Sequence, residues 1–211
     1  VEVPTNAPEL AGEMHSVMRD RLLAATVIGM ALGAAGVLLR TATGNPLADP
    51  EITGVNSGAA FGAVLCTTIT GSVSGAAVLP GALCGAALGA LITVGIGMRV
   101  TVGDPTGAQS VQRMILLGIA VSALFSACTA IILVIDEAQL STVLSWLSGR
   151  LGGVRLPDIM PCIIAVAVVL PFTIAAGRGL DTLFAGDALS SSVGANPHRL
   201  RILAVVGAVL L

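Results

Sequence analysis

Residues 58–98 read GAAFGAVLCTTITGSVSGAAVLPGALCGAALGALITVGIGM, from Gly58 to Met98: 41 consecutive positions without a charged side chain. One helix of that length would measure about 62 Å, roughly twice the hydrocarbon thickness of a bilayer. Two spans fit instead. The small polar run Gly71-Ser72-Val73-Ser74-Gly75 supplies a place for a tight turn between them. The reading of this stretch decides the class. The whole chain of 211 residues is 55% hydrophobic and 10% charged, against about 25% charged in soluble domains. So few charges cannot cover a water-facing surface. Disorder is excluded on the same ground, since it needs high charge and low hydrophobicity. The ten basic residues are all Arg, and the net charge is −2, so there is no basic patch for nucleic acid.

Working outward, the other uncharged runs set the remaining spans: Leu22–Leu39, Met114–Ile135, Ile159–Gly177 and a run from Ile202 to Leu211. The expectation is an all-α multi-pass membrane protein with five complete spans and a cut sixth. Residues 1–21 form an external segment, 22–177 the transmembrane helices, 178–201 a polar segment and 202–211 the start of a further helix. Val1 in place of Met, and a last run too short to cross, read as a piece of a longer chain. With alternating spans, Arg40, Arg99, Arg113, Arg178, Arg199 and Arg201 share one side, and Arg19, Arg21, Arg150 and Arg155 the other. The bias puts loops 40–57, 99–113 and 178–201 in the cytoplasm.

Small residues recur at four-residue spacing: Gly29 and Gly33; Gly81, Gly85 and Gly89; Gly118, Ser122 and Ser126. Such spacing lets helix backbones approach in lipid. Static packing and sliding during gating both fit it. All twelve acids lie outside the span interiors, whereas ion-coupled transporters keep carboxylates at mid-membrane. Cys66, Cys84, Cys128 and Cys162 sit far apart in apolar runs, and His15 and His198 lie in loops, so no metal-ligand spacing is present. No nucleophile, acid and base gather in the sequence, and no phosphate-binding Gly-rich Lys motif occurs. The chain reads as no enzyme and as binding no cofactor.

The most distinctive string is Gly44-Asn45-Pro46-Leu47-Ala48-Asp49-Pro50-Glu51-Ile52-Thr53-Gly54-Val55-Asn56-Ser57-Gly58-Ala59. Pro46 and Pro50 stop a helix, Asn45 and Asp49 favour turns, and Asn56 or Ser57 can cap a helix starting near Gly58. The string resembles the Asn-Pro-Leu-Ala-Asp-Pro…Gly-Val-x-Ser-Gly-Ala signature of FecCD-type permeases, the membrane subunits of ABC importers for ferric siderophores, haem and cobalamin. Arg113-Met114-Ile115-Leu116-Leu117-Gly118-Ile119-Ala120 resembles the opening of that family's fifth helix. Trp146-Leu147-Ser148-Gly149-Arg150-Leu151-Gly152-Gly153 resembles its outer Trp-x-x-Gly-x-x-Gly segment, and Leu183 through Leu200 its coupling segment. Arg40 departs from a common Gln.

The resemblance implies the type II ABC importer permease fold. It implies that 178–201 is a coupling segment docking on an ATPase subunit through Leu183, Gly186, Asp187, Ala188, Gly194 and Arg199. Gly186 and Gly194 break it into two short helices, and Pro197 helps end the second. A solvated loop with ordinary positive-inside charge is the other reading. The family's outer Arg-Leu-Pro-Arg motif carries over cleanly only at Arg21, with Arg19 one residue out of place. Docking of an extracytoplasmic binding protein and interfacial anchoring are both open there. The family's gate places Ser110, Val111 and Gln112 near the cytoplasmic end of the path. Ser122, Ser126 and Thr129 share a stripe that either lines the path or bonds to neighbouring backbone.

The implied protein is a cytoplasmic-membrane permease working as a dimer, with ATP and Mg on separate ATPase chains. Ferric siderophore is the first expected cargo, with haem or cobalamin as alternatives. An ion-coupled secondary transporter and a membrane scaffold are the readings outside the family.

Overall fold

The computed structural model describes residues 8–72, 75–96, 108–135, 148–149, 154 and 156–211. Among them all regular structure is helical. The chain runs through α1 (Pro8–Thr43), α2 (Val55–Thr70), α3 (Gly75–Ala90), a π-helical turn (Leu91–Ile96), α4 (Ala108–Ile135), α5 (Leu156–Ala175), α6 (Gly177–Phe184), α7 (Asp187–Ser192) and α8 (Pro197–Leu210). The uncharged stretch does split in two: Gly71, at φ 65°, ends α2, and α3 starts at Gly75. Within the described residues, four helical segments are long and apolar enough to cross a membrane: Gly12–Thr43, Ala77–Ile96, Ile115–Ile135 and Leu156–Ala175. The expected count of five complete spans included α2, which has 16 residues and falls short of that length.

Three local expectations are corrected. α1 has no break at Leu22; it begins at Pro8 and has 36 residues, about 54 Å, so an end must project from the hydrocarbon. α2 starts at Val55 behind Gly54, without a side-chain cap, and the Ser57 hydroxyl donates back to the Gly54 carbonyl at 3.3 Å. Pro197 opens a helix rather than ending one. It is the first residue of α8, and Asn196 caps that helix by accepting from the Arg199 N–H at 3.1 Å. Proline suits a first turn because its missing N–H would have had no partner there.

α2 and α3 meet backbone to backbone. Gly54 faces Gly89, Gly58 faces Gly85 and Gly62 faces Gly81, one antiparallel register about the Gly71 turn. A Cβ added at Gly58, Gly62, Gly85 or Gly89 would strike the facing carbonyl. By contrast, a Cβ at Gly29 or Gly33 would meet nothing within 4 Å. That spacing therefore does no packing among the described residues. α1 packs on α5, α6 and α8, while α2 also packs on α4. The core joins Ala35, Leu38, Leu39 and Ala42 of α1 to Ala204 and Ala208 of α8, with Leu180 of α6 and Val169 of α5. Ala48 and Val55, from the two-proline connector and the start of α2, belong to the same core.

Hydroxyls inside the helices satisfy themselves. Thr26, Thr41, Thr67, Thr68, Thr70, Thr129 and Thr173 each donate to the carbonyl four residues back. In lipid this pairs hydroxyl hydrogens that would otherwise have no partner.

Candidate functional site

The two-proline connector has a defined shape. The Asn45 carboxamide oxygen accepts from the Leu47 N–H at 2.9 Å, and the Asp49 carboxylate accepts from the Glu51 N–H at 2.9 Å. Two Asx turns thus carry the chain over Pro46 and Pro50, as the residue types required. Thr53 closes the second turn by donating to the Asp49 carbonyl at 2.8 Å. Asn45, Ala48 and Thr53 are buried, while Pro46 and Leu47 are exposed. Gly44 and Gly54, at either end, take positive φ of 63° and 79°.

This connector touches three elements. Arg40 Nε in the last turn of α1 donates to the Ala48 carbonyl at 3.3 Å. On the α4 side, the Ser122 hydroxyl donates to the Glu51 carbonyl at 3.0 Å. Four residues earlier, a Cβ on Gly118 would strike the Ile52 carbonyl. Near Gly54, on the π-helical turn, Thr93 is fully buried, and its hydroxyl has no hydrogen-bond partner among the described residues. Ser122 is therefore engaged with the connector. Thr129 bonds within its own helix, and Ser126 is exposed. Ser110, Val111 and Gln112 lie in the first turns of α4.

The polar segment after α5 folds as α6, a bend and α7. Gly186 separates them at φ 124° and ψ 155°, and Gly194 follows α7 at φ 83°. Leu183 and Leu180 are buried against the bundle. Leu183, expected to touch a partner, thus holds α6 in place. Among the described residues of the segment, the large exposed apolar side chains are Phe184, Leu189 and Val193. Sequence reading missed them because a family pattern marks positions, while exposure depends on how the helix is rotated. Asp187 and Ala188 open α7, and Arg199 lies exposed in the first turn of α8. Arg201 Nε, two residues on, donates to the Ala42 carbonyl at 2.7 Å, 159 positions away in sequence.

At the other end of α1, Arg19 pairs with the adjacent Asp20 at 3.2 Å. The other oxygen of Asp20 accepts from the Leu156 N–H at 3.4 Å, at the first residue of α5. A carboxylate there meets both an unpaired helix donor and the positive end of the helix dipole. Asp20 thus ties α1 to α5. Arg21 is exposed. Trp146, in the expected outer segment, lies outside the described residues.

An apolar cavity of about 510 Å³ opens between α1, α2, α3, α5 and α8, lined by Ala35, Val55, Ala86, Cys162, Val169 and Ala208 among others. Its walls offer little for a polar chelate to bind. Among the described residues, no three His, Cys, Asp or Glu side chains come together as a metal site.

The fold is shared with a solved structure described as an inward-facing metal-chelate type ABC transporter. The TM-score is 0.71 at 23% identity, covering 92% of this chain and 61% of that one. The chain is 31% identical over 205 residues to the Fe(3+) dicitrate transport system permease protein FecC of Escherichia coli strain K12, covering 95% of this chain and 60% of that protein. It is 30% identical over 209 residues to the cobalamin import system permease protein BtuC of Halobacterium salinarum, covering 99% of this chain and 54% of that protein. It is 30% identical over 191 residues to the ferric enterobactin transport system permease protein FepD of E. coli K12, covering 90% and 56%. The chain thus spans little more than half the length of these relatives. The model of the FecCD transport family matches residues 8–211, from the start of α1 to the end of α8, and the chain belongs to that family.

Proposed function

We propose that this chain is the greater part of a permease subunit of an ATP-driven importer, with ferric siderophore as its cargo. The observation that carries the reading is the α6–α7 segment. It is a short, glycine-broken pair of helices, anchored to the bundle by Leu180 and Leu183, and it presents Phe184, Leu189 and Val193 outward. Apolar side chains exposed on a polar segment suit contact with a protein partner. An ATPase subunit is the partner that family membership supplies. The names of relatives support iron chelates as cargo, and the cobalamin relative keeps that cofactor as the alternative.

In this reading the permease does no chemistry. ATP and Mg bind the ATPase chains, an external binding protein delivers the chelate near Arg19 and Arg21, and a second permease copy or paralogue completes the path. The setting is the cytoplasmic membrane. The test is uptake of radio-iron ferric siderophore by cells lacking the intact gene. Energised uptake should be lost on deletion and restored by the gene. Unchanged uptake of ferric siderophore, haem and cobalamin alike would overturn the importer reading.

A further inference from the structure

We propose that the two-proline connector is a mechanical relay linking the coupling segment to α4, with Arg201, acting through the last turn of α1, and Ser122, acting on the connector itself, as positioning residues. The proposal rests on the importer reading above. Its ground is one continuous set of contacts. Arg201 is the last residue of the coupling segment and lies in the second turn of α8, and its guanidinium holds the Ala42 carbonyl in the last turn of α1. That carbonyl is one of the four that a helix leaves unpaired at its C-terminus, and the helix dipole makes the site favourable for a cation. Ala42 is fully buried and Arg201 half-buried, so this is a charge-assisted bond partly shielded from water. On the same turn, Arg40 holds the Ala48 carbonyl of the connector. Ala48 is itself packed in the core beside Ala42, Leu180 and Ala204.

At its far end, the connector is held by α4. The Ser122 hydroxyl bonds the Glu51 carbonyl, and Gly118 lets the Ile52 carbonyl approach the helix backbone. The prolines and Asx turns between these ends make the connector stiff. A stiff loop held by α1 through the local Arg40 bond and by α4 through the long-range Ser122 bond moves with whatever moves either helix. A shift of the coupling segment would therefore reach α4 through Arg201, α1 and the connector. Coupling between sites needs such a physically contiguous element.

The test uses the intact permease, with its ATPase and binding protein, in proteoliposomes. The probe is whichever of radio-iron ferric hydroxamate, ferric catecholate, haem or cobalamin the wild type accumulates. The readout is substrate moved per ATP hydrolysed, alongside co-purification of the ATPase. Arg201→Ala and Ser122→Ala should each lower that ratio about five-fold or more, the low end of coupling between sites, with assembly intact. Arg201→Lys, which keeps the charge and a donor, should restore most of it. The double variant should be no worse than the worse single, because both interrupt one relay. A normal ratio in Ser122→Ala, or losses that multiply in the double, would overturn the relay while leaving the importer reading intact. If Arg201→Ala does not assemble, Ser122→Ala and Arg201→Lys still decide. Absence of ATP-driven transport by the wild type would overturn both.

Discussion

Gly62 and Gly33 are the same residue type in the same four-residue pattern, with opposite consequences. A Cβ on Gly62 would strike the Gly81 carbonyl, while one on Gly33 would stand in open space. Gly62→Ala should therefore destabilise by about 1–3 kcal/mol or more, as overpacking does, and Gly33→Ala should be neutral or mildly stabilising as a better helix former. Unfolding in detergent, followed by helical circular dichroism, would compare them. Equal effects would contradict the register. The spacing was read at Gly33 and at Gly81, Gly85 and Gly89 but not at Gly58 and Gly62, which face Gly85 and Gly81, and which glycines meet a neighbour was not legible, because helix rotation is set by packing. Asn45 and Asp49 were fully legible, since an Asx turn is made within three residues. Asp20 was not: its partner at Leu156 is 136 positions away.

At the scale of elements, the coupling segment shows what local chemistry specifies. Gly186 divides α6 from α7 at a φ of 124°, a region proline cannot enter and other L-residues rarely do. Gly186→Pro should abolish transport and leave membrane insertion intact, since the bend lies outside the spans. Uptake assays paired with protease mapping of topology would check this, and normal uptake would sink the coupling role. The break between the two short helices could be read from the glycines. The role of Pro197 could not be read from its type alone, because proline both follows helices and opens them. Asn196 decides for opening, by capping α8. Exposure of Phe184, Leu189 and Val193 also depended on tertiary structure, since Leu183 beside them is buried.

Across the whole molecule, the exposed surface is that of a lipid-facing bundle. Leu22, Ile69, Leu91, Val134, Ile135 and Ile174 are each 68–80% exposed. The protein should stay in the membrane pellet after alkaline carbonate washing and leave only with detergent. Release by carbonate would contradict the multi-pass reading. That class was plain from composition, because charge is too scarce to clothe a soluble globule. The number of spans was less plain, since α2 is shorter than its uncharged run and α1 is longer. The α2–α3 hairpin has a consequence for biogenesis. Its contacts join residues that leave the ribosome within moments of one another, and its loop closes over a few residues at little entropic cost. It can therefore enter the bilayer as a preassembled pair, with α2 carried in by the longer arm that α3 and its π-helical turn make together. The hold of α4 on the connector and of α8 on the last turn of α1 is added only later, as each of those helices is made.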